Sequence, residues 1–287
     1  MSFSQLSVII PAFNASATIG EGVRSAFQAG AAEVVVVDDG STDGTASLAH
    51  DAGATVVSQA NSGAAAARRN GLEKADEKST AIIFLDSDDS LISAGVRSAV
   101  VMIDAGGFAA VCGRTVGIHA DGSETMLKTW SVPITTGSLL ERGYGPCPPA
   151  SVVWSAPILR RAMSDEIAAV WPRYAEDYEL IIRGSLLGSI ASSEEPTSRY
   201  RMTGGKSAQA PIRSVRDAEA IREHYAGISG LPVALRGPRS QKALALIRTA
   251  SGEPRGSLRR SALLMKSVFT HPPTPVSFAA QSLGQRR

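Results

Sequence analysis

Histidine, cysteine and aromatic side chains are all scarce in this 287-residue chain, and each shortage removes a class of function. The four histidines, His50, His119, His224 and His271, show no metal-ligand spacing, and Cys112 and Cys147 lack the neighbours of a zinc site. The N-terminus carries no basic region followed by an apolar core, so no signal peptide is expected. The two thiols are accordingly read as reduced core residues rather than a disulfide. Aromatics make up 5% of the chain, too few for a base-stacking platform, so no nucleic-acid partner is expected. No apolar run approaches the ~20 residues of a membrane span. No GxGxxG follows the first apolar run, which argues against a nicotinamide dehydrogenase, and no GxxxxGK[ST] phosphate loop occurs.

Acidic residues are scarce only at one end. Residues 1–198 hold 13 Lys+Arg against 23 Asp+Glu, whereas residues 199–287 hold 16 against 4. A basic extension on an acidic body suits contact with phosphates, anionic lipid or an acidic partner; the other reading is a solvated basic face packed on its own acidic domain.

What is present is an alternation of strands and helices. Strands are expected at Leu6–Ile10, stopped by Pro11, and at Glu33–Val37, Ala54–Ser58 and Thr80–Leu85. Helices fit Ala15–Gln28 with Asn14 or Ser16 as cap, a segment from Thr42 or Asp43 to Ala52, and Ser62–Ala75. This βαβαβαβ order implies a parallel sheet with helices on both faces. Later strands are expected at Ala109–His119, Thr125–Trp130 and Ser151–Ser155, with Ile190–Tyr200 at an edge. Helices follow at Val96–Ile103, Ile158–Met163, Tyr178–Leu187 and Val215–Ile228, and two amphipathic basic ones at 240–250 and 257–268. Thr203–Ser207 reads as a mobile loop, and the tail from His271 as frayed.

Four patches fall at the carboxyl ends of the early strands, where open α/β sheets bind ligands. Pro11-Ala12-Phe13-Asn14 has a small residue that lets a ligand approach the backbone. Asp38-Asp39 places carboxylates that can accept from a base N–H or a ribose hydroxyl. Asn61-Ser62-Gly63 leads to Arg68, which can reach a phosphate or hold a carboxylate. Asp86-Ser87-Asp88-Asp89 crowds three carboxylates, which raise one another's pKa unless a cation sits among them. Hard cations such as Mg²⁺ or Mn²⁺ take such oxygens and keep substrate phosphates as partners. Trp154 and Trp171 offer faces on which a sugar can stack, with core packing as the other reading.

In this order the patches resemble glycosyltransferase family 2. The matching strings are Val8–Asn14, Val35–Asp43, Asn61–Gly63 with Ala67-Arg68, and Phe84–Asp89. Downstream, Tyr174–Leu180, holding Glu176-Asp177, and Tyr200-Arg201 are similar to later family motifs. The resemblance implies a GT-A fold: a Rossmann-like, mostly parallel α/β sheet flanked by helices, here with a basic helical C-terminal extension. It implies a domain over 1–205, with a nucleotide-sugar half (1–104) and an acceptor half (105–205), then a lid loop and extension over 206–287. It further implies an inverting, metal-dependent transfer from a nucleotide-sugar, favouring UDP, to a sugar or lipid-linked acceptor in cell-surface polysaccharide or glycolipid synthesis. Asp39, with Asp38, would read the base; Asp86 would face the ribose; Asp88 would ligate the metal; Asp177 would be the base, with Glu176 beside it. Pro11, Ala12, Asn14, Asn61, Gly63, Arg68 and Ser87 would complete the donor site, and Lys206 and Ser207 a lid. The order Arg68-Arg69-Asn70-Gly71 departs from the family's usual Arg-Asn-x-Gly. The processive Gln-x-x-Arg-Trp string is missing, which favours single additions. A cytoplasmic enzyme at the inner membrane face, touching anionic lipid through its basic helices, is the expected setting. The alternatives are a sugar-phosphate nucleotidyltransferase, which needs a Gly-rich loop with Arg after the first strand, and a non-catalytic sugar-nucleotide binder.

Overall fold

A computed structural model describes residues 5–202, 210–251 and 257–270. Elements follow in the order β1 (Leu6–Ala12), α1 (Ile19–Gln28), β2 (Glu33–Asp38), α2 (Thr45–Asp51), β3 (Thr55–Ser58), α3 (Ala64–Lys74) and β4 (Ala81–Phe84). Then come β5 (Ser90–Leu91), α4 (Ser93–Asp104), β6 (Phe108–Ile118), β7 (Glu124–Met126), α5 (Thr136–Arg142), β8 (Val152–Ser155) and α6 (Ala156–Ala162). The chain continues through α7 (Glu176–Leu187), β9 (Ser189–Arg201), α8 (Pro211–Ser229), α9 (Pro238–Ser251) and α10 (Leu258–Thr270).

The strands join one sheet in the order β3-β2-β1-β4-β8-β6-β9-β5, with β7 pairing β6 outside that path. β3, β2, β1 and β4 run parallel, as does the long β6–β9 pair. β8 runs antiparallel between β4 and β6 and joins the two parallel halves. Alternation of side chains sorts the sheet's two faces. Val8, Ile10, Ile83 and Leu85 enter one core beneath α1 and α4, with Ile19, Val23 and Val96. Ile9, Ile82 and Phe84 enter the other, with Leu139, Tyr178, Ile182 and Tyr225 from α5, α7 and α8. In α1 the buried Ile19, Gly22, Val23 and Ala26 repeat at helical spacing.

Several boundaries differ from the sequence expectation. Pro11 does not stop β1; it stays in the ladder, opposite Val37. Ile9 offers its carbonyl toward β4, and backbone groups alternate sides along a strand. Pro11 therefore faces β4 just past the end of that pairing, where no N–H is needed. Helix α1 begins at Ile19 with Thr18 at its cap, so neither Asn14 nor Ser16 caps it. The strand expected over Thr125–Trp130 ends at Met126. β9 is an edge for most of its length, but β5 covers Ser198 and Arg199. The loop Thr203–Ser207, with Lys206 and Ser207, and the tail from His271 lie outside the described residues.

The C-terminal helices dock in series: α8 packs on α5 and α7, α9 on α8, and α10 on α9. Among the described residues, no helix is long and apolar enough to cross a membrane.

Gly71 decides how closely α3 lies on the sheet. A Cβ there would overlap Ile9 Cγ2 and come within 3.1 Å of Val37 Cγ2. Both neighbours are fully buried and β-branched, so neither yields easily. Alanine gains about 1 kcal/mol of helix propensity, but overpacking costs about 1–3 kcal/mol. Gly71→Ala is expected to lower stability by about 1–2 kcal/mol in a denaturant titration, with unchanged m-value.

Candidate active site

The loops that follow β1, β2 and β4 open into a cleft of ≈ 900 Å³. Its lining includes Pro11, Ala12, Asn14, Asp39, Arg68, Asp86, Ser87, Asp88, Glu176 and Asp177. Ten of the positions singled out in the sequence thus meet on one surface. Asn61 and Gly63 instead line an adjoining groove of ≈ 1340 Å³, between α3 and the segment preceding α7. Asp38 is buried behind the cleft, where its Oδ1 accepts from Ser41 N at 3.1 Å and shapes the β2–α2 turn.

Arg68 sits at the centre. Its side chain is 8% exposed and donates through Nη2 to Asp86 Oδ1 at 2.6 Å and through Nη1 to Glu176 Oε1 at 3.1 Å. Burial alone would favour loss of its proton, but the Asp86 and Glu176 charges outweigh that and raise its pKa. The guanidinium therefore ties the end of β4 to the start of α7, which lies 108 residues beyond Arg68 itself.

Asp39 accepts three hydrogen bonds from the next crossover: Gln59 Nε2 and Ser62 N on Oδ1, and Gly63 N on Oδ2, each at 2.8 Å. A carboxylate has about four acceptor sites, so about one is left for the cleft. Asn14 has φ of 49° and joins two loops. Its N–H donates to Ser41 Oγ and its Oδ1 accepts from Thr42 N, both at 2.9 Å. Asn70, displaced by one position from the family order, donates to Gln59 Oε1 at 2.8 Å and so supports the residue that holds Asp39.

The acidic turn is unevenly charged. Burial and the Asp86 charge raise the pKa of Asp88. The same two causes push Asp89 up to about 8, so it carries a proton at neutral pH. Asp89 Oδ1 accepts from Arg201 N at 2.9 Å, while its Oδ2 is buried without a partner among the described residues. Arg201 also donates to the Asp88 carbonyl at 2.8 Å and to Glu21 at 2.9 Å, strapping β9 to the turn. Among the described residues, no group of three or more His, Cys, Asp or Glu side chains forms a closed metal site. The donor set still suits a hard cation held open to substrate: Asp88 faces the cleft, and its raised pKa is what a neighbouring cation would relieve.

Across the cleft, Ala175 adopts φ of 63° and starts α7, which brings Glu176 and Asp177 to the helix N-terminus. Buried Glu179 secures the preceding segment by accepting from Val170 N at 2.6 Å, Trp171 N at 3.1 Å and Tyr225 Oη at 2.7 Å. Asp177 reaches solvent through the cleft mouth, although protein crowds it on its other sides. That desolvation, then the Glu176 charge, pushes its carboxyl up to about 6, against the opposing pull of Arg68. Trp154 is core, packed against Gly184. Trp171 is clamped by Arg69 at 3.9 Å and Arg183 at 4.8 Å from its ring centre.

Sequence reasoning missed Lys128, Tyr144 and Arg248, which also line the cleft. Arg248 comes from α9, and nothing in its local pattern separates it from the other arginines of the extension.

The model of a protein family described as glycosyl transferase family 2 matches residues 7–166. Glycosyltransferase AglJ of Haloferax volcanii is 40% identical over 81 residues, covering 28% of this chain and 26% of that protein. The succinoglycan biosynthesis protein ExoU of Rhizobium meliloti is 32% identical over 208 residues, covering 65% of this chain and 58% of that protein. The chain therefore spans less than two thirds of either relative. Among solved structures, S. aureus TarS 1–349 in complex with UDP-GlcNAc superposes with a TM-score of 0.61 at 19% identity, over 92% of this chain and 79% of that one. That likeness is one of fold.

Replacing Arg68 by methionine removes the one cation shared by Asp86 and Glu176. Breaking a buried pair costs about 3–5 kcal/mol, less where the partners reach water. Asp86 and Glu176 are 30% and 26% exposed, so a loss of about 2–3 kcal/mol is expected at pH 7. Thermal unfolding of wild type and variant at pH 7 measures that loss.

Proposed function

The chain belongs to glycosyl transferase family 2, and from that premise we propose that it transfers a sugar from a UDP-sugar to an acceptor hydroxyl with inversion at the anomeric carbon. The observation that carries this reading is that Asp39, Asp88 and Asp177, from three separate stretches of chain, rim one cleft with Arg68 between them. UDP-GlcNAc in the TarS complex supports the choice of uridine.

In this reading Asp39 accepts a base N–H with its remaining lone pair, and Asp38 holds the turn behind it. Pro11 and Ala12 let the nucleoside lie close to the end of β1, and Asn14 fixes the two loops that flank it. Asn61 and Gly63 act through the Asp39 contacts of their own loop. Asp86, steadied by Arg68, faces the ribose, with Ser87 beside it. Asp88 would hold Mg²⁺ or Mn²⁺, which when bound neutralises the departing diphosphate. Asp177 takes the proton of the attacking acceptor hydroxyl as that oxygen meets C1. Glu176, bound to Arg68, keeps the start of α7 in place and leaves Asp177 as the free carboxylate. No covalent enzyme intermediate is needed for inversion.

The acceptor is read as a sugar or lipid-linked precursor of a cell-surface polysaccharide or glycolipid, in keeping with the succinoglycan relative. Peripheral contact with the inner face of the membrane is supported by α10. There Leu258 and Met265 are 90% and 59% exposed two turns apart, beside Arg259 and Lys266. Flotation with anionic vesicles should recover the protein at low salt and lose it at high salt; failure at low salt removes this contact.

Asp177→Asn is expected to lower turnover by about 10²–10⁴-fold while leaving UDP affinity within about twofold. The base works as the carboxylate, so wild-type kcat/KM should rise through an apparent pKa near 6 and fall about tenfold per pH unit below it. Donor turnover and UDP binding in a Mn²⁺ buffer between pH 4.5 and 8 decide the matter; full activity in the variant would exclude this role.

A further inference from the structure

On α8 and at the approach to α9, two arginines share one carboxylate, and a third lies within reach of its field. Glu219 is shared by Arg222, at 2.6 Å, and Arg236, also at 2.6 Å. Arg222 further donates to the Leu140 and Ala234 carbonyls, and Arg236 to the Arg142 carbonyl, so both guanidiniums are committed to structure. The third, Arg248, takes no hydrogen bond or ion pair among the described residues and lines the cleft. Burial, then repulsion from Arg236, lowers its pKa, and Asp177, Tyr144 and Glu219 offset that only in part. Asp177 is moreover already within the field of Arg68. Lys128 stands exposed on the same lining. The result is a surplus of positive charge in a partly desolvated wall of the cleft, which an anion would balance.

The position of Arg248 identifies which anion. The donor side of the cleft is built from the ends of β1, β2 and β4. Arg248 instead enters from α9, on the side that holds Asp177 and Tyr144. A guanidinium there can grip two oxygens of a phosphate while a hydroxyl of the same molecule lies at Asp177. We propose that Arg248, with Lys128, forms a phosphate subsite on the acceptor side of the cleft, so that the acceptor is a phosphate-bearing molecule. This rests on the glycosyltransferase reading above and narrows its acceptor class.

The test uses the full chain with UDP and Mn²⁺ at saturation, which fills the donor side, and titrates glycerol phosphate or inorganic phosphate at constant ionic strength. Binding is followed by thermal shift and calorimetry. Wild type should be stabilised by both probes. Arg248→Gln should bind them about tenfold more weakly, a difference of about 1.4 kcal/mol, with UDP affinity unchanged within twofold. Arg248→Lys, which keeps the charge without the planar fork, should lose about threefold. Should the glutamine variant not fold, Arg248→Lys and Lys128→Gln carry the comparison, each with a several-fold loss expected. Absence of phosphate binding to the UDP-bound protein, or equal binding by the variants, overturns the subsite. A tenfold fall in UDP affinity also overturns it, because the arginine would then serve the donor diphosphate. Failure of wild type to bind UDP would instead count against the glycosyltransferase reading, and phosphate binding is then compared without nucleotide.

Discussion

The buried guanidinium of Arg68 is the constraint on which the rest of the site depends. Asp86 ends the parallel half of the sheet and Glu176 opens α7, and both carboxylates reach the same cation. Without it, three acidic groups around one cleft would repel one another with no cation between them. With it, charge is sorted. Asp86 and Glu176 stay paired, and Asp177, next to that pair, is left with a carboxyl poised near 6. A proton acceptor close to neutrality thus follows from desolvation and the Glu176 charge, which Arg68, already paired, offsets only in part. The arrangement needs α3 to lie tightly on β1 and β2, which is why Gly71, three residues after Arg68, has no room for a side chain.

Most of the donor side was legible because it is local. Buried runs such as Val34–Val37 and Ala81–Leu85 can only be central strands, and in a parallel sheet their carboxyl ends must share an edge. Residues that follow them therefore converge without any knowledge of the helices. The same logic failed at Pro11, because whether a strand tolerates proline depends on where its neighbour stops pairing, and that is a property of β4. It also failed at Asn14. A polar residue before a helix reads as a cap, yet its side chain bonds Thr42, across 28 residues.

The acceptor side was less legible because its contacts are between distant segments of irregular chain. Glu179 looks like an ordinary helix-surface acid in sequence, but it is buried and binds the backbone of Val170 and Trp171. Asp89 reads as a third metal-facing acid, whereas it turns away to meet the Arg201 backbone and keeps its proton. Nothing in a single sequence distinguishes an acid that points into a cleft from one that holds a strand to a turn.

The charge asymmetry between the two ends of the chain now has a structural meaning. A basic extension could have remained a solvated arm, but α8, α9 and α10 pack one on the next, and α8 and α9 close one wall of the cleft. Docking such a surface on an acidic body consumes charge unevenly. Glu219 compensates Arg222 and Arg236 at the core of the contact, where unpaired charge would be costly. Arg248 lies one layer further out, where water in the cleft tolerates its charge until a ligand replaces that water. Net charge alone would send the whole extension to the same partner. The pairing pattern separates it into arginines that hold the fold and one that faces the place where an acceptor must enter.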